Sequence, residues 1–125
     1  GLGSALRASR RGALAWHRLL EERGSLRSYQ EPELDIVTYF PDRARLSEID
    51  AASAEIFHAA ADTSPEEQVH VATFTASATS FGPRGHGPEL DADRGRILRS
   101  VVMKPESEPA IPSIHRTLEA LAAKR

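Results

Sequence analysis

The polar side chains of this 125-residue sequence form no complete catalytic signature. There is no glycine-rich dinucleotide fingerprint, no Walker loop, no nucleophile elbow and no paired-histidine zinc motif. The absence of cysteine excludes disulfides, thiolate metal ligands and a thiol nucleophile. Thr73 and Ser100 carry hydroxyl groups, but both fall in predicted strands, where the pattern places no base beside them. The sequence therefore predicts no catalytic residue.

Metal-binding side chains come closest together where His86 precedes Asp91 and Asp93. A nitrogen and several carboxylate oxygens are suitable ligands, but their spacing matches no established type of metal site. His58 and His115 fall beside the apolar stripes of predicted helices, where a packed or surface histidine is commoner than a ligand. No metal site is predicted.

Cofactor chemistry is equally hard to place on this chain. Lys104 ends a predicted strand and Lys124 lies in the tail, and neither has the buried setting that lowers a lysine pKa for Schiff-base formation. The glycine- and proline-rich segment 82–88 contains no lysine and leads into no predicted helix. A long hairpin loop is predicted there, and no phosphate site.

Composition indicates one soluble globular domain spanning residues 1–125, with 40% hydrophobic and 27% charged residues. No apolar run approaches the roughly 18 residues of a membrane span. Arginines interrupt the first apolar stretch, so no signal peptide is predicted and a cytoplasmic location is expected. The chain begins with Gly1, which suggests a piece of a longer protein. Arginines dominate residues 1–30 and acids residues 31–67, a pattern that favours a solvated or partner-docked face over nucleic-acid binding.

The element that must organise the fold is the segment Pro32–Pro41. Its β-branched and aromatic residues alternate, with Leu34, Ile36, Thr38 and Phe40 on one side and Asp35, Val37 and Tyr39 on the other. This pattern predicts one central strand covered on both faces. Residues 26–29 are a possible edge strand leading into it.

Helical periodicity flanks this strand on both sides. A first helix is predicted from Ser4 to about Glu22, and a second from about Ser47 to Ala61, with Ser47 and Asp50 as a capping box. Strands are predicted at 69–77 and 95–103, and a last helix begins near Ile111. A helical connection makes the first two main strands parallel and leaves room for the third between them. The predicted fold is α+β, a three- to four-stranded mainly antiparallel sheet with three helices.

Two segments resemble a known family. The run Pro-Glu-Leu-Asp-Ile-Val-Thr-Tyr-Phe-Pro (32–41), and Arg-Ile-Leu-Arg-Ser-Val-Val-Met-Lys-Pro-Glu (96–106) followed by a final helix, resemble the C-terminal small domain of pyridoxal-phosphate-dependent group II decarboxylases. Glutamate, tyrosine and aromatic-amino-acid decarboxylases belong to this family, whose small domain has the same order of helices and strands.

The resemblance implies a lyase of fold type I that acts on an amino acid, within carboxylic acid metabolism. A large domain absent from this chain would hold pyridoxal 5'-phosphate and supply its lysine, so the chain alone would not be catalytic. The chain would cover the mouth of the active site and support a homodimer, without nucleic acid or membrane as partners. Related enzymes act as other lyases or as aldehyde synthases.

The resemblance also gives one residue a role. Arg45 stands four residues after Pro41, where glutamate decarboxylases place an arginine that meets the distal carboxylate of the substrate, and Arg43 is the nearby alternative. Arginine suits this task because its planar fork binds a carboxylate through two hydrogen bonds. Otherwise, both arginines are solvated loop charges or cap the acidic second helix.

A different class of function stays open beside the enzyme domain. A free-standing interaction or regulatory module has the same kind of α+β fold, and fold alone does not determine activity. A small domain separated from its large domain would expose an apolar docking surface, for which the first helix with Trp16 is the candidate.

Overall fold

The structure is a computed structural model and describes residues 2–22, 24–63, 69–84, 87–102 and 109–124. Its elements, in chain order, are α1 (Leu2–Glu21), β1 (Leu26–Glu33), β2 (Ile36–Pro41), α2 (Leu46–Thr63), β3 (Val69–Ser77), α3 (Ala78–Arg84), β4 (Arg94–Val102) and α4 (Ile111–Ala123). Among these helices, none combines the length and apolar content that crossing a bilayer requires.

The four strands form one sheet in the order β1-β2-β4-β3, and each neighbouring pair is antiparallel. The α+β class and the antiparallel sheet are therefore confirmed. β4 lies between β2 and β3, and β1 is an edge strand, as the connection rules predict. The segment 26–29 is the first half of this edge strand.

The prediction of one strand across Pro32–Pro41 is wrong, because the segment contains a hairpin. β1 ends at Glu33, which pairs with Ile36 across a two-residue turn. Leu34 has a φ of 54° and its side chain is 74% exposed, so it lies on neither face of the sheet. This single positive φ at the first turn position is the geometry of a type II′ hairpin, in which glycine is usual. The alternating pattern continues through a turn that lacks glycine.

The first core lies between the sheet and helices α1, α2 and α4. Trp16 is fully buried there, with its ring centroid 5.3 Å from that of Tyr39. The proposal that α1 exposes Trp16 as a docking surface is therefore wrong. The twelve buried residues of this core are Ala13, Trp16, Leu20, Leu26, Val37, Tyr39, Ile56, Ala60, Leu98, Ile111, Leu118 and Ala122.

The second core lies on the opposite face of the sheet, where α3 covers one end. Phe81 is buried, with its ring 5.4 Å from the rings of both Phe40 and Tyr29. The long hairpin loop predicted at 82–88 is wrong in its first part, because α3 extends to Arg84. Burial of the aromatic ring of Phe81 stabilises this short helix against the unfavourable helix propensity of glycine and proline near its end. Coverage of β2 on both faces is confirmed, since five of its six residues are buried.

A buried hydrogen bond joins the two central strands. The hydroxyl groups of Tyr39 and Ser100 lie 2.8 Å apart, and neither side chain is exposed to solvent. Burial raises the pKa of Tyr39, and the hydrogen bond to Ser100 offsets this shift only in part. Tyr39 is therefore a neutral member of the core at physiological pH.

We expect Ser100→Ala to lower the free energy of unfolding by about 1–3 kcal/mol, because the Tyr39 hydroxyl would be buried without a partner. Tyr39→Phe combined with Ser100→Ala should cost less than the sum of the two single changes, since the double variant leaves neither hydroxyl unsatisfied. Urea unfolding of the four proteins measures this coupling. Additive losses would contradict the assigned hydrogen bond.

Candidate functional site

The loop that carries Arg45 connects β2 to α2 and is fixed by a second segment. The backbone N–H of Leu46 donates to the carbonyl of Glu89 at 2.9 Å, and the N–H of Glu89 donates to the carbonyl of Ala44 at 2.7 Å. This short parallel bridge holds the backbone of Arg45 beside Glu89. The loop therefore has a defined position although its residues are largely exposed.

The Arg45 guanidinium faces solvent beside one carboxylate. Its Nε lies 3.7 Å from Oε2 of Glu89, and the two side chains are 59% and 66% exposed. Such an exposed, long ion pair stabilises the fold little, so Glu89 is a displaceable partner. Arg45 is thus accessible to an external carboxylate that competes with Glu89.

Arg43 has a different environment, two residues earlier in the chain. It is half-buried, and its Nη2 donates to the carbonyl of Ala122 at 2.8 Å, while its Nη1 donates to the carbonyl of Asp42 at 3.0 Å. A cation at the C-terminal end of a helix pairs with carbonyls that lack helical partners. Arg43 therefore docks against the last turn of α4.

The predicted capping box of α2 is wrong. The helix begins at Leu46, so Ser47 lies inside its first turn. The N–H and Oγ of Ser47 donate to the two carboxylate oxygens of Asp91, at 2.9 and 2.6 Å. These hydrogen bonds, with a smaller contribution from the charge of Arg45, hold the pKa of Asp91 below its usual range. The cap comes from a carboxylate more than forty residues away, which no local pattern reveals.

Asp50, the other member of that predicted box, binds Arg96 near the start of β4. It accepts hydrogen bonds from the backbone N–H of Arg96 at 2.7 Å, from its Nε at 2.8 Å and from its Nη2 at 3.1 Å. Its pKa is lowered mainly by the side-chain hydrogen bond from Arg96. Together, Asp91 and Asp50 fix the start of α2 to the segment before β4 and to β4 itself.

The metal hypothesis gains no support. His86 lies outside the described residues, and Asp91 is already bound to Ser47. Asp93 is exposed. Within the described part of the chain, no three histidine or carboxylate side chains lie close enough together to hold a metal ion.

The residues at hand also offer no cradle for pyridoxal phosphate. Lys104 falls outside the described residues, and Lys124 is exposed directly after α4. A Schiff-base lysine is normally desolvated in a pocket. Surface concavities among the described residues include one of about 290 Å³ beside Leu26 and Asp42 and an apolar one of about 510 Å³ beside Leu19 and Ile111. Neither includes Arg45 or a lysine.

The histidines of α2 and α4 have different environments. His58 is exposed on α2, whereas His115 is buried on α4. His115 Nε2 lies 3.5 Å from Oε2 of Glu119, and its Nδ1 has no hydrogen-bond partner among the described residues. Glu119 in turn accepts the backbone N–H of Ser25 at 2.6 Å. His115 is a packed core residue.

Burial lowers the pKa of His115. The carboxylates of Glu119 and Glu22 act in the opposite direction, and Arg116 adds to the lowering. The protonated ring is therefore less stable in the folded protein than in the unfolded chain.

Comparison with known proteins adds no relationship. No family model matches this chain. A search of curated proteins found no match either.

We expect the free energy of unfolding to fall as the pH drops below about 6.5, the ordinary histidine value, because the unfolded chain then binds a proton that folded His115 resists. Above that pH, His115 is neutral in both the folded and the unfolded chain, and this loss of stability is absent. Chemical denaturation between about pH 7.5 and pH 5 measures the effect. His115→Gln should flatten this dependence, whereas His58→Gln, at an exposed position, should leave it intact. An equally steep loss of stability in His115→Gln would contradict the assignment.

Proposed function

We propose that this chain is the C-terminal small domain of a pyridoxal-phosphate-dependent amino-acid decarboxylase. The observation that carries the proposal is the order of its elements around the resembling segments. The run 32–41 ends in the central strand β2 and leads through the Arg45 loop into a helix, and the run 96–106 includes most of β4, ahead of α4. Apart from the hairpin at Leu34 and the short helix α3, this succession agrees with the one that the family resemblance implies for the small domain, which supports the proposal.

The Arg45 loop supports the proposal at the level of a single side chain. A substrate carboxylate would need a cation that is held in place by its backbone yet open to solvent. The bridge to Glu89 supplies the first property, and an exposed fraction of 59% supplies the second. The acid Glu89 would compete with the substrate and leave when the substrate arrives. The chain's own task is then to bind and orient the far end of the substrate.

The chemistry itself would come from the remainder of such an enzyme. When bound, pyridoxal phosphate supplies an electron sink for the carbanion that remains after carbon dioxide departs. Lys124, the lysine among the described residues, is exposed, so the contribution of this chain would be to bind substrate and to exclude water from the mouth of the site. We propose a homodimeric cytoplasmic enzyme, with a large domain in the same polypeptide.

The first experiment tests whether a cofactor domain precedes this chain. The complete reading frame, expressed and purified, should show the absorbance of a Schiff base, and borohydride should fix the cofactor on a lysine upstream of residue 1. Carbon dioxide release should follow when amino acids are supplied. Residues 1–125 alone, mixed with pyridoxal phosphate and dialysed, serve as the control and should retain no band.

Two results would overturn the proposal. A reading frame without a cofactor lysine would favour the alternative, a free-standing interaction module. A Schiff-base band on residues 1–125 that survives dialysis, and that borohydride reduces to a covalent adduct on a lysine, would mean that this chain binds the cofactor by itself.

Arg45→Ala in the full enzyme should raise KM for an acidic amino acid about tenfold or more, because a charged hydrogen bond to the substrate is lost. Arg45→Lys should restore binding only in part, since lysine lacks the planar fork. Glu89→Gln should lower KM by removing the competing carboxylate. Unchanged kcat and KM in Arg45→Ala would reject the role of this residue. Steady-state kinetics measure these constants, and the effect of Arg45→Ala should be large for an acidic substrate and small for an aromatic one.

A further inference from the structure

The two edges of the sheet differ in how they are protected. β1 has Pro32, charged residues and two register irregularities, between Ser28 and Gln30 and between Gln30 and Glu33. Nη1 of Arg10 also donates to the carbonyl of Pro32 at 2.8 Å. Proline, charge and bulges are the devices that keep an edge strand from pairing with another chain. The β1 edge is therefore closed.

The β3 edge has none of these devices. Its nine residues, Val69–Ser77, contain no proline, aspartate, glutamate, lysine or arginine. All nine pair with β4 in one continuous register without a bulge. Among the described residues, no backbone–backbone hydrogen bond outside the sheet involves this strand, and no strand lies beyond it. At the end of the strand, the carbonyl of Ser77 accepts a hydrogen bond from the hydroxyl of Ser80. A long, flat, uncharged edge of this kind is a template for another strand.

Side chains at this edge are also incompletely covered. Val71 packs against the first core and Phe74 against the second, and both remain partly exposed. Thr73 is half-buried and Thr75 is exposed. A strand added beside β3 would cover apolar surface on both faces of the sheet while satisfying the outward backbone groups.

We propose that β3 is the interface between two copies of this chain, paired antiparallel about a two-fold axis at Thr73. The sequence of β3 is self-complementary in this register. Val71 faces Thr75 of the second copy, Ala72 faces Phe74, and Thr73 faces its own counterpart. β-branched residues thus meet β-branched residues on one face, and a small residue meets an aromatic ring on the other. No charges oppose each other.

The geometry also limits the assembly to two copies. A two-fold contact uses the same surface on both chains and leaves no second β3 edge free. The outer edge of β1 is protected, so pairing cannot continue there into a filament. The product is one continuous sheet in which the two four-stranded sheets are joined. This inference does not depend on the proposed enzyme function.

Because the sequence contains no cysteine, single thiols test the register directly. Thr73→Cys should form an intermolecular disulfide under mild oxidation, since directly opposed residues have Cα atoms about 4.5–5.5 Å apart. Thr75→Cys is the matched control on the same face of the same strand. The Cα atoms of residue 75 in the two chains would lie roughly 13 Å apart, so this variant should form no disulfide with itself. Val71→Cys mixed with Thr75→Cys should link as a heterodimer.

Sedimentation of residues 1–125 across a dilution series gives the independent readout. The unmodified chain should sediment as a dimer, and Thr73→Lys should sediment as a folded monomer because two like charges would face each other. Thr117→Lys, the same change on the exposed face of α4, should remain dimeric. A monomeric unmodified chain would overturn the proposal. A dimer that persists in Thr73→Lys would also overturn it, as would equal cross-linking of Thr73→Cys and Thr75→Cys. The cross-linking result does not depend on whether Thr73→Lys folds.

Discussion

Strand β2 is the element on which both cores of this protein depend. Consecutive residues Tyr39 and Phe40 point to opposite faces, and each is the aromatic centre of one cluster. Tyr39 packs against Trp16 under the large helices, whereas Phe40 packs against Phe81 under the short helix α3. A shift of the strand by one residue would move Tyr39 and Phe40 each to the opposite face of the sheet and disrupt the packing of both cores. The register of β2 is therefore strongly specified.

That register also determines where the polar loop begins. Pro41 ends β2, and the next residues lead directly to the bridge with Glu89. The start of α2 is then tied to the segment before β4 by Asp91, and to β4 by Asp50. Arg45 thus stands on a loop whose two ends are held by the sheet and by the helix. This arrangement gives the backbone of Arg45 a defined position although its side chain is exposed.

Much of the fold could be predicted from periodicity alone, and the failures share a physical cause. The helices α1, α2 and α4 and the strands β3 and β4 were predicted near their observed positions, because their apolar spacing repeats over several turns or pleats. The hairpin at Leu34 escaped prediction because a turn without glycine or asparagine leaves the alternating pattern unbroken. The helical conformation at Gly82 and Pro83 depends on burial of Phe81, a tertiary effect that propensity does not contain. For the candidate site, the family resemblance pointed to Arg45, whereas its neighbour Glu89 is a long-range partner that no local pattern reveals.

The last helix closes the first core over residues that come more than ninety positions earlier. Leu118 and Ala122 share that core with Trp16 and Leu26, and Glu119 accepts the backbone N–H of Ser25. During synthesis on the ribosome, these earlier residues emerge long before α4, which packs over them. Contacts so distant in sequence form late and slow folding, because the intervening chain must be ordered first. A nascent chain that stops before α4 would therefore carry an open apolar surface, and it would be a natural substrate for chaperones until α4 has left the exit tunnel and packed.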